Sequence, residues 1–490
     1  MQYIIGIDIG TTHTKAVVTS ANAEVLTEVK AGYPSFQPAA GYHEQDPRQL
    51  LEAVIEVLSK AVHSVPEKEN ILVVSFSAAM HSLMAVDRKG QPLTNLWTWA
   101  DTRSQETATL HKNSLPGHRI YQQTGTPIHP MSPLCKIAWM RTAMPEVFAA
   151  AHKFISGKEY IIQQLTGHYI IDTGLASATG LLNVQTLHWS NEALEFAGIS
   201  EEHLSVLAKP TDRLPALKEE YVKLLNLPAD TVFINGGSDG SLANIGAGAV
   251  LPGEAALTIG TSGAVRILSE HAVQDHDRRL FNYRLDETLY LPGGAVNNGG
   301  LLLQWFIDIF TDKQQPFEAY LDELLPQAGA IPPGAEGLIF LPYIHGERAP
   351  VWDAAASGMF VSIKANHTRA HYLRAVLEGV AFSLLQIIDA LQENGVVIEH
   401  LFAGGGFINS PEWLRIVTDV SGKTIHVSHA ADASAMGAIY MGMKAAGLLK
   451  EWKDIKQFMQ QEQTLKPNRT AFAAYEKNYL VYKELYRKFQ

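Results

Sequence analysis

Apolar positions fall into two kinds of run along the chain. Short, nearly continuous ones, Tyr3-Ile4-Ile5-Gly6-Ile7-Asp8-Ile9-Gly10 and Ile71-Leu72-Val73-Val74-Ser75-Phe76, have the length of strands buried on both faces. Others recur at helical spacing: between Asp46 and Val65 the residues Leu50, Leu51, Val54, Ile55, Leu58, Ala61 and Val62 share one face. The first run closes on Gly10-Thr11-Thr12 and a β-rich run, Lys15-Ala16-Val17-Val18, follows it, so the chain is predicted to open with a hairpin, then a helix, then another strand. Helical stretches around 133–150 and 156–166, a strand at Val232-Phe233-Ile234 and a long helical pattern from His367 to Asn394 continue a mixed α/β alternation. The last forty residues carry Tyr475, Tyr479, Tyr482 and Tyr486 among alternating charges and predict a terminal surface helix.

The opening pattern returns in the second half. Residues 7–18 read IDIGTTHTKAVV and residues 257–268 read LTIGTSGAVRIL, each a short apolar strand ending in Gly-Thr-(Thr/Ser) and then a return strand. Two domains of similar construction are therefore expected, with the boundary near 245–252.

Composition narrows the functional classes. The 490 residues hold 39 Lys+Arg and 50 Asp+Glu, a net charge of −11, and 46% are hydrophobic, enough for large cores. No run of five or six basic residues offers a counterion-release surface, so nucleic acid is not an expected partner, and small anionic substrates would need dedicated local cations. A single cysteine, Cys135, permits neither an internal disulfide nor a Cys-rich metal site and points to a reducing compartment, the cytoplasm. The N-terminus lacks the basic region of a signal peptide, and no stretch reaches the 18 or so uncharged apolar residues of a membrane span, so no membrane association is expected.

A Gly-Thr-Thr turn between strands offers several backbone N–H groups and two hydroxyls to a phosphate, and its glycine allows close approach. Either turn alone would serve an ordinary hairpin; as a pair they could grip a polyphosphate from two sides, with Asp8 just before the first placed to hold Mg²⁺ through its water shell. Other nucleotide motifs fail. Gly422-Lys423-Thr424 lacks the earlier P-loop glycine, since position 417 is Val417, and Gly6 and Gly10 have the wrong spacing for a dinucleotide turn. Gly404-Gly405-Gly406-Phe407-Ile408-Asn409, between an apolar run and a helical pattern starting near Pro411, is either a tight strand-to-helix turn or bare backbone for a flat base, with Asn409 free to bond ribose or purine. Asp239, in Asn235-Gly236-Gly237-Ser238-Asp239-Gly240-Ser241, sits in a flexible-looking turn where an aspartate is either structural or able to take a proton.

This constellation resembles the FGGY carbohydrate kinases over nearly the whole chain. The first family signature is similar to Met131-Ser132-Pro133-Leu134-Cys135-Lys136-Ile137-Ala138-Trp139-Met140, and the second to the segment from Gly358 to Glu378, where Ser362 replaces the usual glycine and Tyr372 an aliphatic residue. The resemblance implies an α/β chain with a duplicated, two-domain actin-like ATPase (ribonuclease H-like) fold and the active site in the interdomain cleft. Residues 1–247 would hold the sugar, the first phosphate loop and the catalytic aspartate, and residues 248–490 the nucleotide. It implies ATP and Mg²⁺, with Asp239 as general base, Asp8 organising the metal, and Thr11, Thr12, His13 and Lys15 facing the phosphates. Gly260 and Thr261 would make the second phosphate contact, and Gly300, Gln304, Gly404, Gly405, Gly406 and Asn409 would hold the nucleoside.

On the sugar side the resemblance implies Met80, His81, Trp99, Asp101 and Arg103, besides Asp239. Met80-His81-Ser82-Leu83-Met84-Ala85-Val86-Asp87, Trp99-Ala100-Asp101 and Gly346-Glu347-Arg348-Ala349-Pro350-Val351-Trp352 are most similar to gluconate kinases, implying transfer to the D-gluconate 6-hydroxyl and a cation near the sugar's far end, for which His81, Arg103 and Arg348 are candidates. Xylulose, ribulose, glycerol or another polyol stays open, because one or two loop residues separate such ligands. A non-catalytic actin-like ATP-binding module and a sugar sensor without turnover are the competing classes; retained Asp8 and Asp239 speak against the sensor. Kinases of this family often form homodimers, though no interface patch can be read.

Overall fold

The computed structural model describes residues 1–427, 432–459 and 463–489. The first half is built on strands β1 (Tyr3–Ile9), β2 (His13–Ser20), β3 (Val25–Gly32), β4 (Ile71–Ala78) and β5 (Phe233–Ser238), in the order β5-β4-β1-β2-β3. β1 to β3 are antiparallel, whereas β4 and β5 run parallel to β1. β1 is buried along its whole length, as its continuous apolar run requires. The helix Pro47–Ser64 returns the chain from β3 to β4; Asp46 caps its N-terminus by accepting the Arg48 N–H at 2.8 Å, and Leu50, Val54, Val57, Leu58 and Ala61 form its buried face.

The second half repeats the plan. Strands β6 (Gly253–Ile259), β7 (Gly263–Ile267), β8 (Phe281–Arg284), β9 (Tyr290–Val296), β10 (Ile398–Gly404), β11 (Thr424–Val427) and β12 (Gln463–Leu465) lie in the order β8-β9-β7-β6-β10-β11-β12. Without the edge strands β8 and β12, β9-β7-β6-β10-β11 reproduces the first sheet strand for strand, antiparallel and parallel pairs alike. The sequence repeat is thus a repeat of topology. In both sheets the chemistry-bearing turns leave the carboxyl ends of the parallel strands, where open α/β sheets place ligands.

The halves meet through two helices that follow corresponding strands: Asp239–Gly246 after β5, and Ala433–Ala445 in the position after β11. A Cβ on Gly246 would stand 1.8 Å from the Ala433 carbonyl oxygen and one on Gly437 2.0 Å from the Leu242 carbonyl oxygen, so the backbones touch. Residues Ala435, Met436, Ile439 and Met443 pack onto Ile4, Val17, Val73 and Ile234 of the first sheet. The long helix Arg369–Glu393 has an 18-residue window of mean hydropathy 1.4, of which 78% is buried inside the protein: its apolar character is spent on the core. The helix Arg469–Phe489 is correspondingly not a plain surface helix. Tyr475, Tyr479 and Tyr482 are buried; the Tyr482 and Ser383 hydroxyls bond at 2.7 Å and the Tyr479 hydroxyl donates to Asp389 at 2.7 Å.

Candidate active site

Each half contributes one Gly-Thr turn. In the first, the Gly10 N–H donates to the His13 carbonyl at 3.2 Å, the Tyr33 hydroxyl donates to the Gly10 carbonyl at 2.6 Å, and Thr12 Oγ1 lies 2.8 Å from His13 Nδ1. Thr11 is fixed from the sugar side by the Trp99 indole N–H, 3.2 Å from its Oγ1. In the second, the Gly260 N–H donates to the Ser262 carbonyl at 2.9 Å, while the Gly299 and Gly300 N–H groups donate to the Thr261 and Gly260 carbonyls at 3.1 and 2.6 Å. β10 ends beside it, with Thr258 opposite Gly404. Gly405 has φ of +93°, and a Cβ there would stand 2.4 Å from the Ile259 carbonyl oxygen, so the turn requires glycine. At Gly260, Gly404 and Gly406 an added Cβ would meet nothing within 4 Å, and Thr261, Gln304 and Asn409 are exposed on the same rim. Gly422, considered above for a P-loop, instead ends the helix Pro411–Ser421 in the left-handed conformation.

Asp8 lies near the end of β1 opposite Lys15 on β2 and Ser77 on β4, and its Oδ1 accepts the Ser77 hydroxyl at 2.6 Å. Burial, and then the negative charge of Asp432, push its carboxyl up to about 7. Lys15 Nζ pairs with Asp432 Oδ2 at 2.5 Å, so its ammonium is engaged by a protein carboxylate rather than left to a phosphate. Asp432 also caps the 433–445 helix, accepting the Ser434 N–H at 3.0 Å. A hard divalent cation suits this set: oxygen donors only, and carboxylates whose mutual repulsion it would relieve.

Asp239 is the first residue of its helix, capped by the Ser238 hydroxyl, so a strand passes directly into a capped helix where the sequence suggested a flexible-looking turn. Its Oδ1 accepts the Gly240 N–H at 2.7 Å. Burial raises its pKa, and the Arg266 guanidinium is the largest influence drawing it back down. Lys158 anchors the junction from below: its Nζ is fully buried, pairs with Asp172 and donates to the Asn235 carbonyl at 3.1 Å.

On the sugar side, His81 adopts φ of +66° and its Nδ1 bonds the Ala178 carbonyl at 2.8 Å, with Nε2 3.4 Å from the Tyr283 hydroxyl. Burial, then the Lys136 and Arg348 charges, push it down to about 3. His81 is neutral, which removes it as the cation for a substrate carboxylate. Lys136 Nζ donates to the carbonyls of His81 and Thr98 at 2.8 and 2.6 Å and ties together the two loops bearing Met80-His81 and Trp99.

Of the two roles open to Arg103, fixing Asp101 or meeting a substrate carboxylate, the structure shows the first. Asp101 is wholly buried: its carboxylate accepts Arg103 Nε at 2.9 Å, Arg103 Nη2 at 2.7 Å and the His43 N–H at 2.8 Å. Arg103 Nη2 also meets Glu44 at 2.5 Å, and its Cζ lies 3.8 Å from the ring centres of both Tyr42 and Trp97. The pair holds a loop in place: Tyr42 to Glu44, some 60 residues earlier, pack against it and Asp101 is closed off, while Arg103 borders a surface pocket with Glu44 and Asn95.

The second half also supplies groups that strand-end reasoning did not single out. Arg266 on β7 reaches Asp239, since a Cβ on Gly240 would stand 2.9 Å from its Nε. Tyr283 on β8 meets His81, and Arg348 lies over the Trp99 ring with Cζ 4.8 Å from its centre. The signal for Arg266 lay in the repeat itself, two residues beyond the second return strand's Gly263-Ala264.

The chain matches the FGGY family of carbohydrate kinases, N-terminal domain, over residues 3–246, and the C-terminal domain of the same family over residues 255–446. It belongs to that family, and it is an ATP-dependent phosphotransferase with a hydroxyl group as acceptor. More particularly, it is 41% identical to the gluconokinase of Bacillus subtilis (strain 168) over 452 residues, 91% of this chain and 88% of that one. The solved gluconate kinase from Lactobacillus acidophilus superposes with a TM-score of 0.94 at 37% identity over 100% of both chains. A ligand-bound xylulose kinase from the same organism gives 0.94 at 36% identity, again over 100% of both.

Proposed function

We propose that the chain transfers the γ-phosphoryl group of ATP to the 6-hydroxyl of D-gluconate, with Asp239 as general base. The observation that carries the reading is Asp239 itself: a recessed carboxylate on a capped strand-to-helix junction, between the two halves and beside the buried guanidinium of Arg266. That charge opposes the upward push of burial on the Asp239 carboxyl, which accepts the hydroxyl proton as the O6–phosphorus bond forms and the bond from the γ-phosphorus to the bridging oxygen breaks, releasing ADP. Thr11, Thr12 and His13 from one half, and Gly260 with Thr261 from the other, hold the phosphates; Gly300, Gln304, Gly404 to Gly406 and Asn409 form the nucleoside rim. Asp8 is the group that would hold Mg²⁺, which when bound neutralises phosphate charge. Met80, His81 and Trp99 line the acceptor side. We divide the roles at residues 247 and 248, with Arg266, Tyr283 and Arg348 crossing from the nucleotide half to complete the sugar pocket. A cytoplasmic location fits the single buried thiol, Cys135.

The gluconokinase relatives support gluconate over other acceptors. A pentulose is the second reading, supported by the equally similar xylulose kinase fold. Acceptor-dependent ADP release, measured with Mg·ATP across gluconate, xylulose, ribulose and glycerol, separates them: the expected result is a kcat/KM for gluconate at least about 100-fold above the others. Faster turnover of xylulose would replace the substrate and keep the reaction.

A further inference from the structure

Arg348 and Arg266 bring two guanidinium groups into the cleft; Asp239 faces Arg266, and among the described residues no carboxylate hydrogen-bonds the Arg348 side chain. Arg348 is 8% exposed; its Nη2 donates to the Val296 carbonyl at 2.9 Å, but its buried Nε has no hydrogen-bond partner among the described residues. Glu347, its neighbour in sequence, spends its carboxylate elsewhere: Oε1 accepts the backbone N–H groups of Asn297 and Arg348, and Oε2 faces the Asn298 amide at 3.2 Å. The Nε of Arg266 is likewise buried and unpartnered. Arg103 and Arg374, buried to a similar degree, each have a carboxylate, Glu44 at 2.5 Å and Glu378 at 2.6 Å. A third donor stands in the field of Arg348. His129 Nδ1 accepts the Met131 N–H at 3.2 Å, which puts the ring proton on Nε2, and that buried Nε2 has no partner among the described residues.

Buried donors without acceptors, two of them cationic, are costly unless an anion completes them. Nearby groups do not: His81 is neutral, Lys136 spends its Nζ on the His81 and Thr98 carbonyls and is no anion, the Tyr283 hydroxyl is uncharged, and Asp239 is committed to the reacting hydroxyl. Resting on the sugar-acid reading above, we propose that Arg348, with Arg266 beside it, forms the carboxylate subsite of the acceptor pocket. The selecting cations thus come from the second half of the chain, and they admit an aldonate in preference to a neutral polyol of the same length. A planar guanidinium suits a carboxylate better than an ammonium would, because it presents its donors in a fixed fork.

D-Gluconamide replaces the carboxylate by a neutral amide of nearly the same shape, so the ratio of kcat/KM for gluconate to that for gluconamide reads the subsite and cancels general damage to the enzyme. The wild type is expected to show a ratio of about 100 or more, and Arg348→Gln and Arg266→Gln each to lower it about tenfold or more, mainly through KM for gluconate. Arg348→Lys should recover part of it. A ratio unchanged in both Gln variants, or gluconate and gluconamide falling in parallel, overturns the subsite while gluconate turnover leaves the sugar-acid reading standing. A wild-type ratio near one overturns the subsite without any variant having to fold. Preference of the wild type for xylulose with no use of gluconate overturns the sugar-acid reading itself.

Discussion

His81 is kept uncharged by its surroundings: burial and the Lys136 and Arg348 cations all oppose protonation, and its Nδ1 is held to the Ala178 carbonyl. The folded-state pKa of about 3 lies below the 6.5 of the free side chain, so between those values the unfolded chain binds a proton that the folded chain does not. The stabilisation is therefore complete above pH 6.5 and is lost as the pH falls toward 3. Relative to His81→Gln, the wild type should lose about 1 kcal/mol of stability per pH unit below 6.5, measured by chemical denaturation at pH 7 and pH 5.5. Equal losses in the two proteins would show that His81 is not the group that is protonated. What the sequence made legible at this scale was local chemistry: Asp8 and Asp239 stand at strand ends whose apolar runs could be read directly. Arg266, Arg348 and the unpartnered His129 were not legible as a group, because their convergence depends on how the halves pack. That Arg103 fixes Asp101 was among the readings of the loop, whereas the burial of Asp101 was not legible, since the Tyr42 to Glu44 segment that covers it is distant in sequence.

At the scale of elements, two helices decide where Asp239 sits. The Asp239–Gly246 helix carries the base on its first turn and touches the Ala433–Ala445 helix backbone to backbone at Gly246 and Gly437. A methyl group at residue 437 has no flexible side chain to push aside; Leu242 carbonyl carbon and oxygen lie 2.4 and 2.0 Å from it. Gly437→Ala should therefore cost about 2 kcal/mol or more and lower kcat by displacing the base. Gly406→Ala is the contrasting change: its Cβ meets nothing within 4 Å, so the melting temperature should stay within about 2 °C while KM for ATP rises. Calorimetry and ATP-dependent kinetics on both variants check this, and a Gly406→Ala enzyme with unaltered KM would take the nucleoside away from that rim. The opening strands β1 and β2, the strand β4 and the 47–64 helix were readable from the pattern, whereas the terminal helix, expected over the last forty residues, spans only Arg469–Phe489, with a 3-10 turn at Trp452–Phe458 and the strand β12 before it. Its tyrosine stripe was read as surface because the charges around it are conspicuous, yet positions 475, 479 and 482 share the face that packs on the 369–393 helix.

At the scale of the molecule, duplication explains the site. Two copies of one sheet, joined by helices after corresponding strands, each carry a Gly-Thr turn at the carboxyl end of the equivalent strand, β1 in one half and β6 in the other. A net charge of −11 does not prevent the use of anionic substrates, because Arg266 and Arg348 from the second half bring guanidinium groups to the acceptor side, beside Asp239 and the Trp99 ring. Family membership settles that a hydroxyl is phosphorylated. The claim that remains is which hydroxyl, of which acceptor, with which base. The most direct measurement is phosphorus and carbon NMR of the product formed from Mg·ATP and uniformly ¹³C-labelled D-gluconate, with Asp239→Asn run beside the wild type. Phosphorus coupling at C6 alone, formed at least about 100-fold more slowly by the variant, is the expected result. Coupling at any other carbon, no phosphorylated gluconate at all, or a variant as fast as the wild type would contradict it.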